Sequence, residues 1–107
     1  MTYESIKKTI DFSKVYRKGK SYADRHLVMY VYPNNLGYSR LGLSISKKVG
    51  KSVVRNKVRR RIKEVFRHHY KSNGQYDIVI IARVRASEAS YLDIKKSFRY
   101  LQKKAGI

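Results

Sequence analysis

Residues 76–83, YDIVIIAR, restrict the fold of this chain more than any other segment. They form its most hydrophobic stretch and predict a strand that is buried on both faces. The sequence has 107 residues, with one proline and six glycines. This length suits one domain with a small core, and no repeat or flexible linker divides it. We therefore expect a single domain over residues 1–107 that contains this buried strand.

Three further strands are predicted before it. Residues 26–32, HLVMYVY, alternate in a way that places Met29 and Tyr30 on opposite faces of a sheet. A turn rich in asparagine and glycine follows, and residues 40–46, RLGLSIS, return as a second strand. Residues 21–23, SYA, favour a short edge strand.

Helices are predicted at both ends of the chain. In the first, over residues 10–18, Thr9 is the expected cap and Gly19 the expected left-handed residue after the last turn. The last helix begins after Ser90, and Asp93 completes a capping box with it. With a long central helix, described below, the order is α-β-β-β-α-β-α. It predicts an α+β two-layer sandwich with a sheet on one side and helices on the other.

The charge of the chain points to a polyanionic partner. There are 26 Lys and Arg against 7 Asp and Glu, a net charge of +19. Nucleic acid is the first candidate and an anionic membrane surface the second, and ten tyrosines among the cations suit exposed bases. No apolar run could span a membrane or serve as a signal peptide, and no cysteine is present, so we expect a cytoplasmic protein.

The long helix, from residue 52 to residue 69 or 70, separates its apolar and basic residues. At about 100° per residue, one sector faces the sheet. It contains Val54, Val58, Ile62, Val65, Phe66 and His69. The opposite sector contains Asn56, Arg60, Lys63 and Arg67, with Arg59 at its edge and Arg55 and Arg61 near the apolar boundary.

Asn56 is the unusual residue of that outward sector. Its amide can donate and accept hydrogen bonds beside arginines that bind phosphate, so it can contact a base edge or a 2′-hydroxyl. The alternative is that Asn56 only satisfies the backbone of a solvated first turn. Glu64 is expected to pair with Arg60 or Arg61.

These residues resemble a known family. SISKKVGKSVVRNKVRRRIKEVFR, residues 44–67, is similar to the signature of the bacterial ribonuclease P protein subunit, with Lys57 in place of a family arginine and Ser52 in place of a family alanine. The likeness extends to residues 11–19, to Ala23-Asp24-Arg25 and to residues 76–83.

The resemblance implies a ribosomal protein S5 domain 2-like fold with a left-handed βαβ crossover. It also implies that the partners are a catalytic ribonuclease P RNA and precursor tRNA. Cleavage of the 5′ leader would use Mg²⁺ held by the RNA. The implied RNA-subunit-binding residues are Lys47, Lys48, Lys51, Arg55, Asn56, Lys57, Arg59, Arg60, Lys63 and Arg67. The implied leader-binding residues are Phe12, Tyr16 and Tyr30, with Lys14, Arg17, Lys18 and Arg25 as phosphate partners.

Several alternatives remain open from the residues themselves. Phe12 and Tyr16, four residues apart on a helix, also suit a hydrophobic core. The charge would equally permit a ribosomal-type structural RNA-binding protein. A DNA-binding module fits less well, because one basic helix on a sheet is not a helix-turn-helix. His68 and His69 point about 100° apart, so a shared metal is not expected. These two histidines and His26 lack the carboxylates that a nuclease site would need, so no protein catalytic residue is expected.

Overall fold

The structure is a computed structural model that describes residues 4–72 and 74–107. In chain order the elements are β1 (Glu4–Ser5), α1 (Thr9–Lys18), β2 (Lys20–Ala23), β3 (Leu27–Pro33), β4 (Arg40–Ser44), the short 3₁₀ helix η1 (Lys47–Val49), α2 (Ser52–His69), β5 (Tyr76–Ala82), the 3₁₀ helix η2 (Val84–Glu88) and α3 (Tyr91–Ala105). The α+β class and the predicted order of elements are confirmed. The two-residue strand β1 is an addition, too short to leave a pattern in the sequence.

The sheet has the strand order β1-β4-β5-β3-β2, which places β5 in the centre. β5 pairs in parallel with β4 and antiparallel with β3. Ile78, Val79 and Ile80 are fully buried, so the prediction of a strand buried on both faces is confirmed. The unit β4-α2-β5 is the parallel βαβ crossover that the resemblance implies. That this crossover is left-handed stays a prediction.

Helices cover both faces of this sheet. One face carries Met29, Ile78 and Ile80 and packs against α2 and α3. On the other face, Val79 is covered by Val15 of α1 and by Ile6. The expectation of helices on one side only is therefore wrong for α1. The physical reason is that a strand apolar on both sides needs cover on both sides.

The ends of the helices agree with the sequence at α3 and differ at α1. Ser90 and Asp93 form the predicted capping box. The N-cap of α1 is Lys8, whose carbonyl accepts from two backbone N–H groups, so Thr9 is already helical and is not the cap. Gly19 is extended, with φ −77° and ψ 166°, and not left-handed. Glycine is required there for another reason: a Cβ would lie 2.6 Å from the Val15 carbonyl oxygen.

Candidate RNA-binding surfaces

The first candidate surface is an aromatic cleft between α1 and the sheet, formed by Phe12, Tyr16 and Tyr30. Tyr16 meets Tyr30 edge to face with ring centroids 5.0 Å apart, and the Phe12 and Tyr16 centroids are 6.3 Å apart. Tyr16 is 38% exposed, while Phe12 and Tyr30 are half-buried. The structure thus brings together the three aromatic residues that the resemblance grouped. The Tyr16 ring remains open to solvent, whereas a cluster that only formed hydrophobic core would bury all three rings.

Gly42 on β4 makes room for this cleft. A Cβ at this position would lie 2.7 Å and 2.8 Å from two carbon atoms of the Phe12 ring and 3.3 Å from Cβ of Ile6. Such distances are well below van der Waals contact, so a side chain at residue 42 would displace the ring. This role was not predicted, because a glycine inside a strand pattern indicates a close approach of another group without showing which residue approaches.

An ion-pair network attaches α1 to the sheet beside the cleft. Arg40 donates to both carboxylate oxygens of buried Asp77, at 2.8 Å and 2.6 Å, and to Asp11 of α1 at 3.3 Å. Hydrogen bonding to Asp77 raises the pKa of Arg40 above its ordinary value. Asn34 donates a further bond to Asp77, so the buried carboxylate is well compensated. No local sequence pattern predicts this network, because its members are far apart in the chain.

The residues predicted to bind the leader phosphates lie in two separate regions of the surface. Lys14 lies above the Tyr32 ring, 5.7 Å from its centroid, and Arg17 and Lys18 are exposed in the last turn of α1. Arg25 is elsewhere, at the opposite end of β2. There it lines a shallow depression with Arg83 and Arg85. These two arginines were not predicted, and only the adjacency of β3 and β5 brings them beside Arg25.

The second candidate surface is the outward side of α2. Asn56, Arg60, Lys63 and Arg67 are all exposed, as the helical projection predicts. Two boundary arginines are used by the fold itself: Arg55 donates to the carbonyl oxygen of Gly50 at 3.1 Å, and Arg61 donates to that of Ala89 at 2.8 Å. The outward cations therefore project from a helix whose position is stabilised by hydrogen bonds from Arg55 and Arg61.

Asn56 is held by a neighbouring cation. Its Oδ1 accepts a hydrogen bond from Nη1 of Arg59 at 2.9 Å. Among the described residues, the amide of Asn56 forms no hydrogen bond with the backbone, so the alternative that it only satisfies the first turn is not seen. This contact orients the amide and leaves its NH₂ group free to donate, in the part of the chain that the structure describes.

Glu64 pairs with residues that follow it, and the expected pairing with Arg60 or Arg61 is wrong. It accepts from Arg67 at 2.8 Å and contacts His68 at 3.2 Å. These bonds, first that of Arg67, lower the pKa of Glu64. The reason is directional, because an acid three or four residues before a cation on a helix is better placed than an acid that follows the cation. Arg60 is consequently left without a carboxylate partner among the described residues.

The segment before α2 adds more positive charge. Lys47 and Lys48 lie in η1, and Lys51 is the N-cap of α2. Gly50 between them has φ 155°, and a Cβ there would lie 2.9 Å from Val54, so glycine is needed for the turn. The first turn of α2 has no acidic residue and no side-chain cap. Its positive end therefore adds to the charge of these lysines.

Comparison with known proteins identifies the family. The family model Ribonuclease P matches residues 2–106. The chain belongs to the ribonuclease P protein family. The ribonuclease P protein component of Clostridioides difficile (strain 630) is 49% identical over 106 residues, covering 97% of this chain and 93% of the relative. That of Clostridium kluyveri is 50% identical over 105 residues, covering 95% and 94%.

Solved structures of the ribonuclease P protein agree. The Staphylococcus aureus protein superposes with a TM-score of 0.87 at 41% identity, over 94% of both chains. The Thermotoga maritima protein gives a TM-score of 0.83 at 31% identity, over 94% of this chain and 96% of the other. The chain is thus a protein subunit of ribonuclease P, the tRNA-processing endoribonuclease, and its partnership with ribonuclease P RNA follows. None of its described helices is long and apolar enough to cross a membrane.

Proposed function

We propose that the chain binds two RNAs through two separate surfaces. The outward side of α2, with η1, binds the ribonuclease P RNA, and the aromatic cleft binds the single-stranded 5′ leader of precursor tRNA. The observation that carries the proposal is that α1 and α2 pack on opposite faces of one sheet. Both surfaces can therefore be occupied at the same time.

The α2 surface suits a structured RNA. Arginine binds phosphate with a planar fork, and lysine binds it as a point charge. Asn56 adds an oriented neutral amide that can contact a base edge or a 2′-hydroxyl. The proposed contacts with the RNA subunit are Lys47, Lys48, Lys51, Arg55, Asn56, Lys57, Arg59, Arg60, Lys63 and Arg67.

The cleft suits a single strand of variable sequence. Stacking on an aromatic ring accepts every base, and nearby cations hold the backbone. Tyr16 offers the exposed ring, with Lys14, Arg17 and Lys18 on the same helix. Arg25, with Arg83 and Arg85, would receive a more distant part of the same strand.

The protein contributes binding, and catalysis is proposed to rest with the RNA. Among residues 4–72 and 74–107, no three His, Cys, Asp or Glu side chains come together in a way that could hold a metal ion. We assign the chemistry supplied by Mg²⁺ to ions held by the RNA subunit, as the resemblance implies. A cytoplasmic location, where precursor tRNA is processed, belongs to the same proposal.

The deciding experiment is reconstitution with a bacterial ribonuclease P RNA. The rate of precursor tRNA cleavage would be measured at low Mg²⁺, with and without the protein. We expect strong stimulation, because the protein adds cationic contacts that Mg²⁺ otherwise supplies. A ribosomal-type RNA-binding protein would bind the RNA and leave cleavage unchanged. Absence of stimulation would therefore refute the proposal.

A further inference from the structure

A third basic surface lies where α2 and α3 both end. The depression between these ends is lined by His68, His69, Lys71, Arg99 and Lys103, with Tyr100 and Gln102. We call it the α2–α3 depression. At about 1.5 Å per helical residue, His69 is roughly 20 Å along α2 from Asn56. The depression is thus separate from the Asn56 end of the α2 surface, and it lies on the face of the sheet opposite the aromatic cleft.

No Asp or Glu side chain lines the α2–α3 depression, whose lining is completed by Gly106 and Ile107. Within the described residues, Lys71, Arg99 and Lys103 form no ion pair. Glu64, one turn before His68, is already engaged by Arg67 and His68. The pKa of His69 is lowered by burial and then by the charges of Lys95 and Arg99. The cations in and beside the depression therefore repel one another, and a bound anion would reduce this repulsion.

The backbone around the depression is well fixed. Nε2 of Gln102 donates to the carbonyl oxygen of Lys71 at 2.9 Å and to an Ile107 oxygen at 3.1 Å. These bonds tie the segment after α2 to the end of α3. Gly106, left-handed with φ 73°, ends α3 with backbone bonds to its last turn. The cationic side chains therefore start from fixed positions, which lowers the entropy lost when they bind a ligand.

We propose that the α2–α3 depression binds a phosphate of an RNA backbone, as a third contact besides the α2 surface and the cleft. The phosphodiester is the favoured anion because Arg99, Lys71 and Lys103 line one depression together with the ring of Tyr100. This inference rests on the proposed function, since the RNA is the ribonuclease P RNA or the precursor tRNA bound to it.

The test compares two pairs of substitutions of exposed cations. The depression pair is Arg99→Gln with Lys103→Gln, and the control pair is Lys96→Gln with Lys7→Gln, whose residues do not line the depression. All four side chains are exposed, and glutamine is nearly as good a helix former as lysine and arginine. Both pairs remove the same charge and are expected to keep the wild-type unfolding temperature.

Affinity for ribonuclease P RNA would be measured over a range of salt concentrations. The depression pair is expected to lower the slope of log K against log salt by about one unit more than the control pair, as the loss of one phosphate contact requires. Equal slopes for the two pairs would overturn the inference, with one exception. If precursor tRNA binding to the assembled holoenzyme shows a slope that is lower for the depression pair than for the control pair, the inference still holds. That second result would place the phosphate on the substrate and support the inference.

Failure of this inference is distinguishable from failure of the proposed function. If the wild-type chain binds the RNA and stimulates cleavage while both pairs behave alike in both assays, the depression has no role and the proposed function stands. If the wild-type chain does not bind the RNA at all, the proposed function itself is refuted, and the inference with it.

Discussion

Replacing Tyr16 by alanine tests the aromatic cleft most directly. If a leader base stacks on this ring, its loss should cost about 1–3 kcal/mol of binding, a factor of roughly 5 to 150. The loss should appear for precursor tRNA with a leader and be absent for mature tRNA. Fluorescence titration of the holoenzyme with the two RNAs would measure both dissociation constants.

The same substitution also affects stability, so its magnitude must be considered. Tyr16 is 38% exposed, so roughly 60% of its surface is buried. At about 25 cal/mol per Å² and 150–250 Å² for a tyrosine, the buried part contributes roughly 2–4 kcal/mol to the free energy of unfolding, as an upper bound. Tyr16→Ala is therefore expected to lower the midpoint of urea unfolding as well.

Two matched variants separate stacking from packing. Tyr16→Phe keeps the ring and its edge-to-face contact with Tyr30, so its affinity for the leader should remain close to that of the wild type. Tyr16→Leu keeps most of the apolar burial and removes the aromatic face, so it should lose leader affinity with a smaller loss of stability than alanine. Equal affinities of the Phe and Leu variants would refute stacking, and equal losses for precursor and mature tRNA would indicate a disrupted fold.

Four further substitutions test other parts of the structure. Asn56→Ala should weaken ribonuclease P RNA binding by about 0.5–1.5 kcal/mol, because it removes hydrogen bonds. The slope of log K against log salt should not change, because no charge is removed. An unchanged dissociation constant would contradict this prediction. Gly42→Ala should cost about 1–3 kcal/mol of unfolding free energy, since its Cβ would collide with Phe12, and a wild-type melting temperature would argue against that contact. Arg40→Ala should cost about 3–5 kcal/mol of unfolding free energy because it leaves the buried carboxylate of Asp77 without its cation, whereas Asp11→Asn should cost less than about 1 kcal/mol. Urea unfolding that ranks the two variants in reverse would disprove this account.

Much of the candidate site could be predicted from local patterns. The exposed side of α2 follows from the 3.6-residue period, which places Asn56 and Arg60 away from Val58 and Ile62. The capping box of Ser90 and Asp93 is likewise local, since both residues lie within one turn. Such features depend on residues a few positions apart, so a single sequence is sufficient to find them.

Other parts of the site required partners distant in the chain. Arg25 lies next to Arg83 because β3 and β5 are neighbours in the sheet. The network of Arg40 and Asp77 likewise depends on the parallel pairing of β4 with β5.

The sequence by itself determined the α+β order of elements, the basic side of α2 and, through its motif, the family. Only the tertiary structure decided that α1 covers the second face of the sheet and that Tyr16 there meets Tyr30. The physical reason is that periodicity records which side of an element is apolar and not which element will cover it. A strand apolar on both sides, such as Ile78 to Ile81, requires two covering layers, and the packing of the whole chain chooses them.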